Sequence, residues 1–264
     1  MAAIDLKNLY SVAGKTVLIT GGVGGIGRML SDAFVAAGAR VWITGRKAEA
    51  LAEAVAALRS GGAEVFGIHA DLAAPEGVAT VVAAVSSAES RLDVLINNAG
   101  QTWGAPLAEF PAKAWAPVLT VNVQAPFALM QGLLPLLSAA ASEESPARII
   151  NLGSVAGITT DAMKAYSYTA SKAAIHQLTR VMARELVGRR ILCNAIAPGL
   201  FPSKMTGFLL KNDTTREAVL ADIPLGRPGT PEDIAGLAMF LCSRAGAYIT
   251  GAIIPIDGGI LIAH

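Results

Sequence analysis

The chain has 264 residues, 53% hydrophobic and 16% charged, with 21 Lys+Arg against 20 Asp+Glu and a formal net charge of +1. That length allows one large domain or two small ones and an ample core, while the charge balance excludes a nucleic-acid binder that works by neutralising phosphates. Two cysteines, Cys193 and Cys242, exclude a disulfide scaffold, and His69, His176 and His264 are too scattered to form a metal site.

The mean hydropathy of +0.51 is high enough to raise the question of a membrane span. The longest uncharged stretch, Ala114 to Ser142, is interrupted by Asn122, Gln124 and Gln131 and by Pro117, Pro126 and Pro135, and Glu143 and Glu144 follow it. It reads as a buried helix rather than a span. Met1 to Asp5 shows no basic region followed by an apolar run, so no signal peptide is expected and the default location is the cytoplasm.

In chain order, Thr16 to Thr20 (TVLIT) reads as a buried strand, followed by a glycine-rich turn and a helix to about Ala37. Arg40 to Thr44 is the second strand and about Ala48 to Arg59 the next helix; Glu64 to His69 is the third strand, and Pro75 opens a helix to Ser87. Asp93 to Asn97 is the fourth strand, with one long helix over much of 112–140. Arg148 to Leu152, a helix over about 163–187, Ile191 to Ala197, a helix over Pro231 to Cys242 and a last strand, Ala252 to Ile256, complete the pattern. The strands are apolar without alternation, as in a sheet covered on both faces. The βαβ rhythm predicts a single doubly wound Rossmann domain over 1–264, of the α/β class, with a seven-stranded parallel sheet and helices on both faces.

Thr20-Gly21-Gly22-Val23-Gly24-Gly25-Ile26-Gly27 joins the first strand to the first helix. Glycines there let the backbone turn tightly and approach a pyrophosphate, and the helix start offers free N–H groups. Gly21, Val23, Gly25, Ile26 and Gly27 are therefore candidate dinucleotide contacts; the alternative is a bare structural turn. An NAD site usually places a carboxylate at the end of the second strand, about twenty residues on. Here the chain reads Thr44-Gly45-Arg46-Lys47, two cations and no acid. An arginine fork suits a 2′-phosphate, so NADP(H) is the expected cofactor unless Arg46 and Lys47 merely begin a solvated helix.

Tyr168 and Lys172 lie four apart and share a helix face, whereas Tyr166 does not. A free tyrosine is a poor base at neutral pH. A nearby ammonium favours its phenolate, and the pair can then exchange a proton with a carbonyl or alcohol oxygen. Alone, such a pair carries little information.

Taken together with the rest of the chain, the pattern resembles the short-chain dehydrogenase/reductase family, from Gly14 to the Asp257-Gly258-Gly259 end. The glycine motif, Asn97-Asn98-Ala99-Gly100 after the fourth strand, Asn122, Ser154, Tyr168 and Lys172, and Pro198-Gly199 after the sixth strand occur in the family's order. The resemblance implies reversible hydride transfer between nicotinamide and a carbonyl/alcohol pair. Tyr168 would deliver a proton to the carbonyl oxygen, Ser154 would hydrogen-bond it, Lys172 would hold the nicotinamide ribose and depress the Tyr168 pKa, and Asn122 would anchor a water in a proton relay. Asp71 and Leu72 would contact the adenine, and Asn98 and Gly100 would line the nucleotide. Pro198, Gly199, Phe201 and Ser203 complete the cofactor set, with Ser203 near the carboxamide. Read without the family, Ser154 is a loop serine, Asn122 a satisfied helix polar group and Asp71 a cap or turn residue. His176 and Trp115 read as packing residues, His176 with an interface as the other option, and Trp103 as packing or pocket-lining.

Ser154 precedes Tyr168 by fourteen residues where the family's usual gap is thirteen, and the extra residue falls in Gly157 to Lys164, a loop expected to border the substrate. That gap and the segments Gly153 to Ile158, Ala197 to Thr206 and Gly251 to Gly259 resemble a subgroup of NADPH-dependent 3-oxoacyl reductases associated with rhamnolipid synthesis. The expected activity is ketoreduction of a hydrophobic ketone or 3-oxoacyl compound. The alternatives are an alcohol dehydrogenase acting on a bulky hydrophobic alcohol and a non-catalytic nucleotide sensor. The expected partners are a small hydrophobic carbonyl substrate and further copies of the chain, as a dimer or tetramer, with no nucleic acid, membrane span or metal. The apolar stretch 200–210 is expected either to close over the substrate as a lid or to form an ordinary surface helix.

Overall fold

A computed structural model describes residues 4–160, 164–203, 206–207 and 213–263. Seven parallel strands form one sheet in the order β3-β2-β1-β4-β5-β6-β7. They are β1 (Thr16–Ile19), β2 (Arg40–Gly45), β3 (Val65–His69), β4 (Val94–Asn97), β5 (Ala147–Leu152), β6 (Ile191–Pro198) and β7 (Ile253–Ile256). Each lies within a residue of its expected bounds.

Alternate residues of one strand enter different cores, which is why the strands show no polar face. Val17 and Ile19 pack with Leu30 and Phe34 of α2 (Gly25–Ala36), Leu51 and Leu58 of α3 (Ala48–Leu58), and Ile234 and Leu241 of α10 (Pro231–Cys242). Leu18, between them, packs on the opposite face with Val81 and Val85 of α4 (Pro75–Ala88), Leu129 of α6 (Ala125–Gly132), Leu137 of α7 (Leu134–Ala140) and Ala183 of α8 (Tyr166–Leu186). The expected doubly wound sheet is what the chain forms. Short helices α1 (Leu6–Leu9), α5 (Trp115–Leu119) and α11 (Ile260–Ala263), and α9 (Asp213–Ala221), complete the elements.

The single helix expected over 112–140 is broken. A π turn occupies Thr120–Gln124, and the axis bends by 58° between the segments that end at Gly132 and begin at Leu134. Prolines explain both departures. Pro135 has no N–H, and its ring clashes with the carbonyl of Gln131. Pro126 has no N–H for the carbonyl of Asn122, four residues earlier. Among the described residues no single helix is long and apolar enough to cross a membrane; only this bent pair qualifies by length and composition. Its Val118, Ala125, Leu129, Met130 and Leu137 are buried against the sheet and its neighbours.

The sheet order reverses between β1 and β4, so the connections leaving these strands diverge to opposite faces and open a crevice at their carboxyl ends. Every motif singled out above lies along that carboxyl edge.

Candidate active site

The glycine turn is built for close approach. Gly21 and Gly25 have φ of +66° and +54°, a region costly for residues with a Cβ. A Cβ on Gly27 would lie 2.2 Å from the Gly21 carbonyl oxygen and 2.4 Å from Asn98 Nδ2. Helix α2 begins there without a side-chain cap, which leaves its first N–H groups available to an anion. Val23 and Ile26 are half-buried against the core. The turn is tied across the crevice. Thr20 Oγ1 accepts the N–H of Asn98 and of Ala99 at 2.9 Å each, and Asn98 Nδ2 donates to the Thr20 carbonyl at 2.8 Å. Asn98 thus holds the cradle in shape.

Arg46 stands exposed just past β2, with no ion pair among the described residues. Its carbonyl lies 3.1 Å from His69 Nε2, which fixes the backbone there. Asp71 is exposed, and its Oδ1 accepts the Ala73 N–H at 3.0 Å, so it also shapes the turn before α4. Leu72 is buried in the core, and Phe201 is 3% exposed and stacked where a Gly229 Cβ would be. Both side chains are committed inward, which leaves their backbones to face a nucleotide. Gly199 follows Pro198 at the end of β6 and donates to the Ile256 carbonyl at 3.0 Å. The loop then returns to the glycine turn, where a Gly25 Cβ would lie 3.1 Å from Ser203 Cβ. Ser203 pairs with Thr206 through hydroxyls 3.0 Å apart. Of the stretch expected to form a lid, residues 204–205 and 208–210 lie outside the described residues.

The reacting side meets this cradle at Gly100, where a Cβ would lie 3.3 Å from Asn122 Oδ1 and 3.9 Å from Lys172 Nζ. Lys172 and Tyr168 do share a face of α8, with Nζ 5.4 Å from the Tyr168 ring centroid. Nζ donates to the Leu152 carbonyl at 2.6 Å. Burial pushes Lys172 down to about 8. Tyr168 departs from expectation. Burial holds its phenol above the ordinary value, and the hydrogen bond with Ser154 draws it partly back. Lys172 sits over the ring rather than beside the hydroxyl, so the expected depression by the ammonium is not the dominant effect. Ser154 opens a 3₁₀ turn, Val155–Gly157, and its Oγ accepts the Ala156 N–H at 3.1 Å.

Asn122 Oδ1 accepts the Gln101 N–H, and its Nδ2 donates to the Gln101 carbonyl and to Ser171 Oγ, all at 2.9 Å. Both amide hydrogens are used, and Pro126 offers no N–H to the Asn122 main-chain carbonyl four residues earlier. Sequence reasoning quoted Thr20 in the glycine motif without a role, and gave none to Ser171 and Gln101, which hydrogen-bond Asn122, or to Thr44, whose Oγ1 accepts the Gly21 N–H at 3.0 Å. Thr20 had its place in the motif as a signal, and Ser171 its place beside Lys172. Tyr166 turns away, its ring 5.2 Å from Phe110 in an edge-on contact. Trp103 is 46% exposed and, with Gln101, Lys113, Pro117 and Val118, lines a cavity of about 290 Å³. The loop Gly157 to Lys164 meets this region through the Ala105 N–H, 3.1 Å from the Lys164 carbonyl; its residues 161–163 lie outside the described residues. No group of three or more His, Cys, Asp or Glu with metal-binding geometry occurs among the described residues.

A doubly wound sheet with a glycine cradle at its switch point and a Ser, Tyr and Lys group facing it is the architecture of a nicotinamide-dependent oxidoreductase. A family model described as "Enoyl-(Acyl carrier protein) reductase" matches residues 21–261. The rhamnolipids biosynthesis 3-oxoacyl-[acyl-carrier-protein] reductase of Pseudomonas aeruginosa is 48% identical over 95% of this chain and 97% of its own. Galactitol 2-dehydrogenase (L-tagatose-forming) of Cereibacter sphaeroides is 36% identical over 98% of this chain and 100% of its own. The structure of P. aeruginosa RhlG in an NADP active-site complex superposes with a TM-score of 0.93, at 48% identity, over 96% of this chain and 98% of that one. The chain belongs to the short-chain dehydrogenase/reductase family.

Proposed function

We propose that the protein is an NADP(H)-dependent ketoreductase that reduces a hydrophobic ketone or 3-oxoacyl compound, with Ser154, Tyr168, Lys172 and Asn122 as its reacting group. The observation that carries this reading is the placement of the half-buried Tyr168, hydrogen-bonded to Ser154 and with Lys172 Nζ 5.4 Å from its ring centroid, beside the glycine cradle. The phenol proton is what carbonyl reduction consumes.

When bound, the nicotinamide would supply hydride chemistry toward the carbonyl carbon. Tyr168 gives its hydroxyl proton to the carbonyl oxygen as the alcohol forms. Ser154 donates a hydrogen bond to that oxygen while charge builds on it. Lys172, braced by the Leu152 carbonyl, holds the ribose hydroxyls. The freed Asn122 carbonyl holds a water through which Tyr168 is reprotonated. The Gly21 to Gly27 turn and the uncapped N-terminus of α2 would hold the pyrophosphate. Arg46, exposed and without an ion pair among the described residues, takes the 2′-phosphate. The NADP complex of RhlG supports that cofactor assignment.

The apolar walls of the cavity at Trp103, Pro117 and Val118 support a hydrophobic substrate, and the P. aeruginosa relative's name supports a 3-oxoacyl one. Free or small thioester substrates are favoured over carrier-bound chains. An acidic carrier calls for a basic surface near the pocket. Among the described residues, the exposed cations nearest the cavity are Lys113 in its wall and Lys164 on the adjoining loop, a smaller patch than the arginines Arg180, Arg184, Arg189 and Arg190, which lie twelve or more residues past Tyr168, with Arg180 about 18 Å along α8. The exposed Phe127 and Val181 on α6 and α8 support a homo-oligomer, a dimer or tetramer.

The test compares kcat/KM, with NADPH and with NADH, for a bulky alkyl or aryl ketone, a 3-oxoacyl coenzyme A and the carrier-bound equivalent. NADPH turnover with the first two leading is expected. A carrier-bound substrate ahead by more than tenfold, with strong salt sensitivity, overturns the substrate reading.

A further inference from the structure

We infer that His176 is a positioning residue for the reaction: its neutral imidazole holds the main chain of Ser154 so that the serine hydroxyl faces Tyr168 and the substrate oxygen. The inference rests on the reading of Ser154 as a hydrogen-bond donor in catalysis.

His176 lies one turn beyond Lys172 on the same face of α8 and is 4% exposed. Its Nε2 lies 3.4 Å from the Ser154 backbone nitrogen, which donates to it. A second hydrogen bond joins the ring to the Gly157 backbone. One ring nitrogen accepts while the other donates, which fixes the tautomer. The imidazole therefore spans both ends of the short turn that carries Ser154.

One glycine shows that the turn is fitted to this ring. A Cβ on Gly153 would lie 2.0 Å from His176 Nε2, whereas one on Gly157 would meet the α8 main chain first, Lys172 C at 2.6 Å and Ala173 N at 2.8 Å, and His176 Cε1 at 2.9 Å. The rest of the Ser154 backbone is held as well. The Gly153 N–H donates to the Ile196 carbonyl at 2.8 Å, and the Gly157 N–H to the Ser154 carbonyl at 3.0 Å. With Ala156 donating to Ser154 Oγ at 3.1 Å, the serine oxygen is filled from one side and its hydrogen is left for the reacting oxygens.

Burial alone does not ask for imidazole, since apolar side chains are the usual occupants of a site this buried. What the imidazole adds is an acceptor for the Ser154 N–H without a charge. Burial, then the charges of Lys172 and Arg180, hold its pKa down at about 4, so the acceptor persists throughout the neutral range.

The test uses the full-length enzyme with His176→Leu, His176→Gln and Ser154→Ala. Leucine keeps the bulk and removes the acceptor; glutamine returns an oxygen near the place of Nε2. The expected result for His176→Leu is a fall in kcat of about tenfold, the scale of one hydrogen bond. Substrate KM and NADPH Kd stay within about twofold, and the alkaline limb of the kcat profile moves to higher pH as Ser154 loosens its hold on Tyr168. His176→Gln restores most of kcat and returns the limb. His176→Asn, too short to reach Ser154, stands in for the leucine variant if that variant does not fold, and the same losses are expected. Unchanged kcat and pH profile in the leucine or asparagine variant, or equal losses in the leucine and glutamine variants, overturns the inference. If Ser154→Ala itself retains full kcat, the catalytic reading of Ser154 is what fails.

Discussion

Lys172 pairs function with a stability cost that pH exposes. The side chain is 5% exposed, and its pKa falls from 10.5 to about 8 in the folded chain. For a base with a depressed folded value, the unfolded chain binds the extra proton between the two pKa values. The penalty is therefore complete below pH 8 and vanishes above 10.5. The full difference, some two and a half pH units, is worth about 3 kcal/mol, and between pH 7 and 9.5 about 2 kcal/mol of it is relieved. Lys172→Met removes the titration along with the bond to the Leu152 carbonyl, whose loss costs about 1–3 kcal/mol at every pH. The pH-independent cost cancels when each protein is compared with itself. Urea unfolding of the cofactor-free proteins at pH 7 and pH 9.5 is the assay. The wild type is expected to gain about 2 kcal/mol on Lys172→Met over that interval. Parallel changes in the two proteins would show that Lys172 is solvated as an ordinary lysine and would refute the reasoning. The same variant is expected to lose most of its activity, since the group costly to bury is the one proposed to hold the ribose.

Arg46→Ala is expected to weaken NADPH binding by about 1.5–3 kcal/mol, leaving NADH binding and Tm unchanged because the guanidinium makes no ion pair among the described residues; equal weakening of both cofactors contradicts the assignment. Tyr168→Phe is expected to cut kcat by at least about a hundredfold, whereas Tyr166→Phe, whose ring packs on Phe110, stays near wild type. Steady-state rates decide between them. Arg148, 1% exposed, donates to the carbonyls of Leu241 and Ser243 at 3.0 Å each and to that of Pro146, with no carboxylate partner among the described residues. Arg148→Met leaves these carbonyls unpaired and is expected to cost about 3 kcal/mol in urea unfolding with kcat intact, as the residue lies at the amino end of β5, away from the reacting edge.

The sheet was legible because burial on both faces leaves the inner strands without an alternating polar face, and fully buried stretches such as Thr16 to Ile19 or Arg148 to Leu152 then stand out from amphipathic helices, while the outer strands β3 and β7 are only partly buried. The site was legible for a related reason. Glycines at 21, 25 and 27 are demanded by backbone geometry, and the four-residue spacing of Tyr168 and Lys172 fixes a shared face whatever surrounds it. What depends on burial was not legible. Nothing in the local sequence says that Lys172 sits over the Tyr168 ring rather than beside its hydroxyl, or that the side chains of Leu72 and Phe201 turn into the core. The unbroken helix over 112–140 failed at Pro126 and Pro135, which were visible as breaks in a membrane span but were not carried through as breaks in a helix. His176 read as packing because its role depends on a turn twenty-two residues earlier in the chain.

The central claim is that a protonated Tyr168 delivers the proton for NADPH-dependent carbonyl reduction. The most direct measurement is the loss of the reduced-nicotinamide absorbance on mixing the enzyme with NADPH and a hydrophobic ketone or 3-oxoacyl thioester, wild type beside Tyr168→Phe, with NADPH Kd measured for both. The account predicts turnover in the wild type, a loss of at least about a hundredfold in the variant and equal Kd. Comparable rates in the two proteins, or NADPH bound by the wild type without turnover of any carbonyl, would contradict it.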